Sequence, residues 1–171
     1  LFLSDDGNSP ELDYRNLIAA LISATKPSHI LETGTGEGRT TLAMLQAALP
    51  NPDFHELTTI EKDPALSTKA RLLLAIWARA LAYTDFVKGA DSLEVLSTAK
   101  IKATFDFCFL DSALSIRAQE LRLLCQRKLL TPGALIVVHD TSVHREMPAG
   151  IRCAESIQYH AELEEVLASF P

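Results

Sequence analysis

The sequence contains few cysteines and no cluster of basic residues, and both shortages limit what the protein can bind. Its three cysteines, Cys108, Cys125 and Cys153, show no CxxC spacing. They predict free thiols in a reducing compartment, without a zinc framework. The formal net charge is -6, and the sequence contains no run of lysine or arginine. Both features argue against a nucleic-acid partner. We therefore expect no nucleic acid among the ligands, and a cytoplasmic location.

Long hydrophobic runs are also missing. No apolar stretch approaches the roughly 20 residues that a membrane-spanning helix needs, and the apolar start at residues 1–4 is too short for a signal peptide. The hydrophobic share of 47% over 171 residues is ordinary for a globular protein, and the length fits one domain. We expect a single domain over residues 1–171 and no membrane partner.

The sequence does contain a regular alternation of strand-like and helix-like segments. The predicted strands are short and continuously apolar, which is typical of a parallel sheet that helices cover on both faces. They lie at residues 30–31, 57–61, 86–88, 105–110 and 134–138. The predicted helices span residues 10–24, 39–49, 64–83, 92–98, 116–129 and 154–168. With right-handed crossovers between the units, this pattern predicts a doubly wound α/β fold.

A glycine-rich loop, Glu32-Thr33-Gly34-Thr35-Gly36-Glu37-Gly38, lies directly between the first strand and the helix that follows it. Glycine permits both a sharp turn and the close approach of a ligand to the backbone, and free N–H groups at a helix start can face a polar ligand. A dinucleotide fingerprint, G-x-G-x-x-G, would need its third glycine at position 39, which is Arg39. The spacing therefore disfavours a nicotinamide dinucleotide, and a tight turn without a ligand is the alternative.

This loop resembles the first motif of the class I S-adenosylmethionine-dependent methyltransferases, which is an acidic residue, any residue, and then G-x-G-x-G. Glu32, Gly34, Gly36 and Gly38 match that motif position by position. The resemblance covers residues 10–141 and implies a Rossmann-like doubly wound parallel sheet with strand order 3-2-1-4-5. It also implies S-adenosylmethionine as the cofactor, bound by Glu32, Gly34, Thr35, Gly36 and Gly38.

The ends of the next two strands supply further cofactor contacts in this family. Glu61 ends the second strand about twenty residues after the glycine loop, where an acidic side chain can accept both ribose hydroxyls; a solvated carboxylate is the alternative. The loop after the third strand lies along the adenine in the family, and this assigns Ala90, Asp91 and Ser92 to that contact. Asp91 and Glu94 also have the spacing of a capping box, so Asp91 is expected to begin a helix as well.

Polar residues follow the fourth and fifth strands at the same edge of the predicted sheet. Asp111 follows the fourth strand, and Val138-His139-Asp140-Thr141 ends the fifth. In small-molecule O-methyltransferases of the catechol and caffeoyl-coenzyme A type, the Asp after the fourth strand is a divalent-metal ligand. The fifth strand of that branch ends in an Asp-Asn pair. The resemblance implies Asp111 and Asp140 as metal ligands for Mg²⁺, which needs few protein ligands, and Asp111 as a cofactor contact.

The resemblance to that branch is looser at the acceptor side than at the cofactor. The branch has a lysine base three residues past the first Asp, and Leu114 occupies that place here, while Thr141 replaces the Asn. Histidine side chains titrate near neutral pH, so His139 is an alternative base. The catalytic candidates are therefore Asp111, His139 and Asp140, which would deprotonate a hydroxyl acceptor with or without a metal.

The end of the sequence differs from the family pattern as well. Class I methyltransferases normally add a sixth and a seventh strand as an antiparallel hairpin, but the sequence stops at Ser169-Phe170-Pro171, where the sixth strand would begin. We expect this C-terminal hairpin to be missing or truncated. The fifth strand would then be an exposed edge, which usually needs protection, and a homodimer partner could cover it.

The expected function is methyl transfer from S-adenosylmethionine to a small-molecule acceptor, at a hydroxyl oxygen. Three alternatives stay open at this point, since a fold does not fix a function. One is an NAD(P)-dependent oxidoreductase, and another is a non-catalytic cofactor-binding or scaffold subunit. The third is a related fold member in which His139 and Asp140 bind a metal for different chemistry.

Overall fold

The computed structural model describes residues 12–77, 82–98, 101, 103–139 and 153–169. Within these residues the elements are α1 (Leu12–Thr25), β1 (His29–Thr33), α2 (Arg39–Ala48), β2 (Glu56–Glu61), α3 (Pro64–Ala75), β3 (Thr84–Lys88), α4 (Ser92–Ser97), β4 (Phe105–Leu110), a 3₁₀ turn (Leu114–Ile116), α5 (Arg117–Gln126), β5 (Leu130–Val138) and α6 (Cys153–Ala168). None of the helices described is both long and apolar enough to cross a membrane.

The five strands form one parallel sheet in the order β3-β2-β1-β4-β5. The chain winds outward from β1 in one direction and from β4 in the other, so the order reverses between these two strands. In sheets of this kind, ligands bind at the carboxyl ends of the strands beside such a reversal. The predicted strand order and the Rossmann-like doubly wound fold are confirmed.

The core has two layers because the strands bury apolar side chains on both faces of the sheet. Ile30 and Leu31 are neighbours in β1 and both are fully buried, yet they belong to opposite layers. Side chains from α1 and α2 complete the first layer, which includes Ile18, Ile22, Met44, Leu45, Phe107 and Phe109. Side chains from α4, α5 and α6 complete the second, which includes Val95, Leu96, Cys108, Leu121, Leu124 and Val166.

Cys108 and Cys125 are free thiols, as predicted. Burial raises the pKa of both thiol groups, so neither is poised to react as a thiolate. Cys153 lies at the first residue of α6, and its side chain is outside the described part.

The helix predicted over residues 64–83 was too long, since α3 ends at Ala75. Its last turn tightens into i→i+3 hydrogen bonds, from Ile76 N to Leu73 O and from Trp77 N to Leu74 O. Leu74 is the last buried side chain of the helix, whereas Ile76 and Trp77 are exposed. The alanine- and leucine-rich sequence favours helix by propensity alone, but the helical packing against the core stops here.

The fifth strand was predicted from residue 134 but begins at Leu130. Its register against β4 shifts between the pairs Phe105–Leu130 and Phe107–Leu135. Pro132 falls inside this irregular part. A proline, which has no N–H to donate, is tolerated at a bulge or on an edge strand, and β5 is at the edge of the described sheet. Pro132 and Gly133 therefore belong to the strand.

Candidate active site

The three glycines of the loop share a positive φ, at +82° for Gly34, +56° for Gly36 and +84° for Gly38, but they have different surroundings. A Cβ at Gly34 would lie 2.2 Å from the carbonyl oxygen of Asp111, and a Cβ at Gly38 would lie 2.8 Å from the Cβ of Ala70. A Cβ at Gly36 would have no heavy atom of the described residues within 4 Å. Packing therefore requires the outer two glycines, while the middle one faces open space.

The carboxylate of Glu61 holds the open side of this loop. Its Oε2 accepts the N–H of Gly36 at 2.8 Å, and its Oε1 accepts the N–H of Asp63 at 2.8 Å. The Glu61 residue is only 8% exposed. Gly89 donates its N–H to the carbonyl of Glu61, and no described atom lies within 4 Å of where its Cβ would be. The described atoms at the ends of β1, β2 and β3 therefore leave a hollow at Gly36 and Gly89, beside a carboxylate whose oxygens each retain a second lone pair.

Glu32 lies beneath the loop, where it is fully buried. Its Oε2 accepts the hydroxyls of Thr41 in α2 and Thr59 in β2, each at 2.6 Å. The hydroxyls of Thr35 and Thr59 are hydrogen-bonded to each other, which connects Thr35 to Glu32 through Thr59. The predicted contacts Glu32 and Thr35 thus support the loop from below.

Burial dominates the ionisation of Glu32 and raises its pKa to about 8. The two hydroxyl hydrogen bonds oppose this rise, and the nearby carboxylates of Asp111 and Glu61 add to it. No hydrogen-bond partner is described for Oε1 of Glu32. With this pKa the group is mostly protonated at neutral pH, which avoids an unpaired buried charge.

A second fully buried carboxylate, Glu120 of α5, lies against the opposite face of the sheet, and the sequence analysis missed it. It accepts the hydroxyls of Thr33 at 3.1 Å, Ser112 at 2.8 Å and Ser92. These hydroxyls come from the end of β1, the loop after β4 and the start of α4. Burial raises the pKa of Glu120, although its hydrogen bonds and Arg117 act in the opposite direction. One side chain therefore links the end of β1, the loop after β4 and the start of α4 at the carboxyl edge.

A sequence signal for Glu120 did exist. Arg117, Glu120 and Leu124 are spaced by three and four residues, which places them on one face of a helix, and that face is buried. Two charged residues on the buried face of a helix are expected to be paired or hydrogen-bonded.

The start of α4 matches the capping prediction. Asp91 is the N-cap residue, and its Oδ1 accepts the N–H of Leu93 at 2.9 Å. Lys62 lies 3.6 Å from the other oxygen of Asp91. Ala90 is partly exposed beside Gly89, and Ser92 points its hydroxyl at Glu120. The assignment of Ala90, Asp91 and Ser92 to an adenine stays a prediction.

Asp111 and His139 are brought together, as expected for residues that follow neighbouring strands. His139 Nδ1 lies 2.7 Å from Asp111 Oδ1, and because a carboxylate only accepts, Nδ1 carries the proton. Arg117 Nη2 donates to the same oxygen at 3.2 Å, and this guanidinium also donates to the carbonyls of Ser112 and His139. The ring of Tyr14 lies 4.7 Å from that of His139. The side chains of Asp111, His139 and Arg117 are each at most 12% exposed.

Asp140, the other predicted metal ligand, lies outside the described residues. In the part of the chain that the structure describes, no three His, Cys, Asp or Glu side chains are grouped so that they could hold a metal ion. Asp111 already accepts N–H groups from Arg117 and His139, whereas Mg²⁺ prefers an octahedron of oxygen ligands. The described donors therefore do not make a Mg²⁺ site.

Comparison with known proteins shows which family the chain belongs to. A family model described as a methyltransferase domain matches residues 31–141, which run from β1 past the end of β5, and the chain belongs to this family. The class I resemblance inferred from Glu32, Gly34, Gly36 and Gly38 is thus confirmed, and methyl transfer is its reaction class. A comparison with the curated proteins gave no match. The alternatives of an oxidoreductase or a non-catalytic scaffold gain no support.

Solved structures share the fold. An O-methyltransferase from Bacillus cereus in complex with SAH is 19% identical, with a TM-score of 0.79 over 97% of this chain and 73% of that one. An O-methyltransferase from Streptomyces achromogenes, involved in tomaymycin synthesis and in complex with SAM, is 24% identical, with a TM-score of 0.76 over 96% and 71%. An SAH-bound methyltransferase from Podospora anserina is 15% identical, with a TM-score of 0.76 over 97% and 72%.

The buried Glu32 should make stability depend on pH. Between its ordinary pKa of 4.5 and the folded value of about 8, the unfolded chain releases the proton while the folded chain keeps it. The free energy of unfolding therefore falls as pH rises through this window, by at most about 1.4 kcal/mol per pH unit. Glu32→Gln lacks this group, so its stability relative to wild type should rise from pH 5 to 8 and level off above. Urea unfolding at several pH values measures this. The exposed Glu94→Gln is the control, and parallel profiles for wild type and Glu32→Gln would contradict the expectation.

Gly34 should be far less tolerant of a side chain than Gly36. Alanine at either position adopts a positive φ, which costs roughly 1–2 kcal/mol, but only at Gly34 does the new Cβ overlap a backbone atom, the carbonyl oxygen of Asp111. Overpacking of this kind adds about 1–3 kcal/mol. Thermal and urea unfolding of Gly34→Ala and Gly36→Ala compare the two directly, and equal losses would show that this contact does not limit the fold.

Proposed function

We propose that this chain transfers the methyl group of S-adenosylmethionine to a hydroxyl oxygen of a small-molecule acceptor, with residues 1–171 acting as one cofactor-binding domain. The observation that carries the cofactor assignment is the open space at Gly36, since among the described atoms none lies within 4 Å of where its Cβ would be. The SAM- and SAH-bound proteins that share the fold support the same ligand.

The cofactor would lie across the carboxyl ends of β1, β2 and β3. The backbone of Gly36 permits close approach, and Glu61 would accept the ribose hydroxyls with the lone pairs that its two N–H bonds leave. Ala90, Asp91 and Ser92 would line the adenine. The remaining cofactor residues act by shaping the loop: Glu32, Gly34, Thr35 and Gly38.

The acceptor would bind beside Asp111 and His139. When bound, the cofactor supplies a methyl group activated by a sulfonium. With its proton on Nδ1, facing Asp111, His139 has its basic nitrogen at Nε2, and this atom would take the proton of the acceptor hydroxyl. The fixed pair would hold the base in one orientation, which favours a near-attack geometry. Asp140, the next residue, is a candidate for the same proton.

The proposed partners are inferred from the net charge and from the edge of the sheet. The net charge of -6 favours a small-molecule acceptor over a nucleic acid, and the proposed location is the cytoplasm. Among the described residues β5 pairs on one side only, and a homodimer through this strand is part of the proposal. Mg²⁺ at Asp111 and Asp140 was a further candidate from the resemblance, but the donors around Asp111 do not favour it.

Gly36→Val should abolish binding of S-adenosylhomocysteine while the domain stays folded. The branched side chain would occupy the hollow without overlapping any described protein atom, and a domain with a typical stability of roughly 5–15 kcal/mol tolerates the strain of a positive φ. Calorimetry measures the binding, and circular dichroism checks the fold. Unchanged affinity in Gly36→Val would make the loop a turn without a ligand.

Glu61→Gln is the graded counterpart of that variant. It keeps the shape of the side chain and removes its charge, so S-adenosylhomocysteine should bind about tenfold more weakly, equivalent to about 1.4 kcal/mol. NAD(H) belongs in the same titrations, since a wild-type chain that binds it and not S-adenosylhomocysteine would refute the proposed cofactor.

A further inference from the structure

One guanidinium connects the segments on which the acceptor side is built. Arg117 is the first residue of α5 and is 6% exposed. Its Nε donates to the carbonyl of Ser112 at 2.9 Å, its Nη1 to the carbonyl of His139, and its Nη2 to Oδ1 of Asp111 at 3.2 Å. The guanidinium therefore bonds to the loop after β4 and to the end of β5 together, at the edge where the resemblance to the catechol-type branch implies a metal.

The charge balance around Asp111 is already met by protein groups. Its carboxylate is 12% exposed and accepts one N–H from Arg117 and one from His139 on the same oxygen. A divalent cation at this carboxylate would lie beside a buried guanidinium, and like charges at such separation repel strongly where water is scarce. Both N–H groups use Oδ1, so a divalent cation would have to bind at Oδ2, where repulsion by the adjacent guanidinium weakens its binding.

The sequence departs from the metal-dependent branch at the corresponding places. Leu114 stands where that branch has its lysine, and Thr141 stands where it has an asparagine. This sequence has no positive charge at position 114, but Arg117 provides one three residues later, after the 3₁₀ turn Leu114–Ile116. Replacement of a metal cation by a side-chain cation would account for the residues at positions 114, 117 and 141 together.

We propose that Arg117 takes the place of a divalent cation at Asp111, so that this methyltransferase orients its acceptor side without a metal. Arg117 is a positioning residue in this arrangement: it holds Asp111, and Asp111 holds the imidazole of His139. The inference rests on the proposed methyl transfer, but metal exclusion is a property of the chain alone and is measurable without an acceptor.

Mn²⁺ is the probe, since its free concentration is read by electron paramagnetic resonance in titrations of the full chain. Wild type and Asp111→Asn should bind Mn²⁺ equally, because Asp111 is not a metal ligand while Arg117 is present. Arg117→Met should bind Mn²⁺ about tenfold more tightly or better than wild type, and the added Asp111→Asn should remove this gain. Arg117→Lys keeps the charge, so its Mn²⁺ affinity should match that of wild type even though it loses the fork of hydrogen bonds. If Arg117 were only structural, Arg117→Met would lower stability without creating a metal site.

Two results would overturn the inference. One is Mn²⁺ binding by wild type that weakens in Asp111→Asn, and the other is Mn²⁺ affinity that does not change when the charge at position 117 is removed. Arg117→Gln replaces Arg117→Met if the latter fails to fold. The proposed function is tested separately by calorimetric titration of wild type with S-adenosylhomocysteine, with and without EDTA. If S-adenosylhomocysteine failed to bind, the proposed function would fail, but the comparison of Mn²⁺ affinities would still test the role of Arg117.

Discussion

The carbonyl oxygen of Asp111 occupies the space that any side chain at position 34 would need, and this contact positions the rest of the site. It brings the ends of β1 and β4 together where the strand order reverses, and hydrogen bonds from Gly34 N to Ile60 O and from Asp111 N to Thr33 O fix the same edge. The glycine loop, which is the proposed cofactor site, and Asp111, at the proposed acceptor side, thereby become neighbours. A methyl transferase depends on that proximity, since the reacting atoms must meet in line and at short range.

Buried polar side chains stabilise this edge from both faces of the sheet. Glu32 links β1, β2 and α2 on one face, and Glu120 links the loops after β1 and β4 to the start of α4 on the other. Both carboxyl groups have raised pKa values because they are buried. Both groups fix the geometry of this edge, which a site needs to about half an ångström, whereas backbone and Glu61 form the surface proposed to face the cofactor.

Arginine suits the position between β4 and β5 for a reason that lysine does not share. Its planar fork donates in several fixed directions, and Arg117 uses three nitrogens on two carbonyls and one carboxylate. The carbonyl of Ser112 and the carboxylate of Asp111 belong to the loop that follows β4, while the carbonyl of His139 belongs to the end of β5. The relative placement of the two strand ends is thus set by one side chain.

The family resemblance supplied the strand order, whereas the sequence by itself determined the alternation of strands and helices, the glycine loop and the position of Asp111 and His139 at one edge of the sheet. These features depend on local patterns, since apolar runs define strands and parallel strands place their carboxyl ends at one edge. The tertiary structure alone decided that α3 stops at Ala75, that Glu32 supports the loop from beneath, and that Arg117 and Glu120 hold the edge together. Each of these depends on partners many residues away, and the burial that makes such partners necessary exists only once the layers have packed.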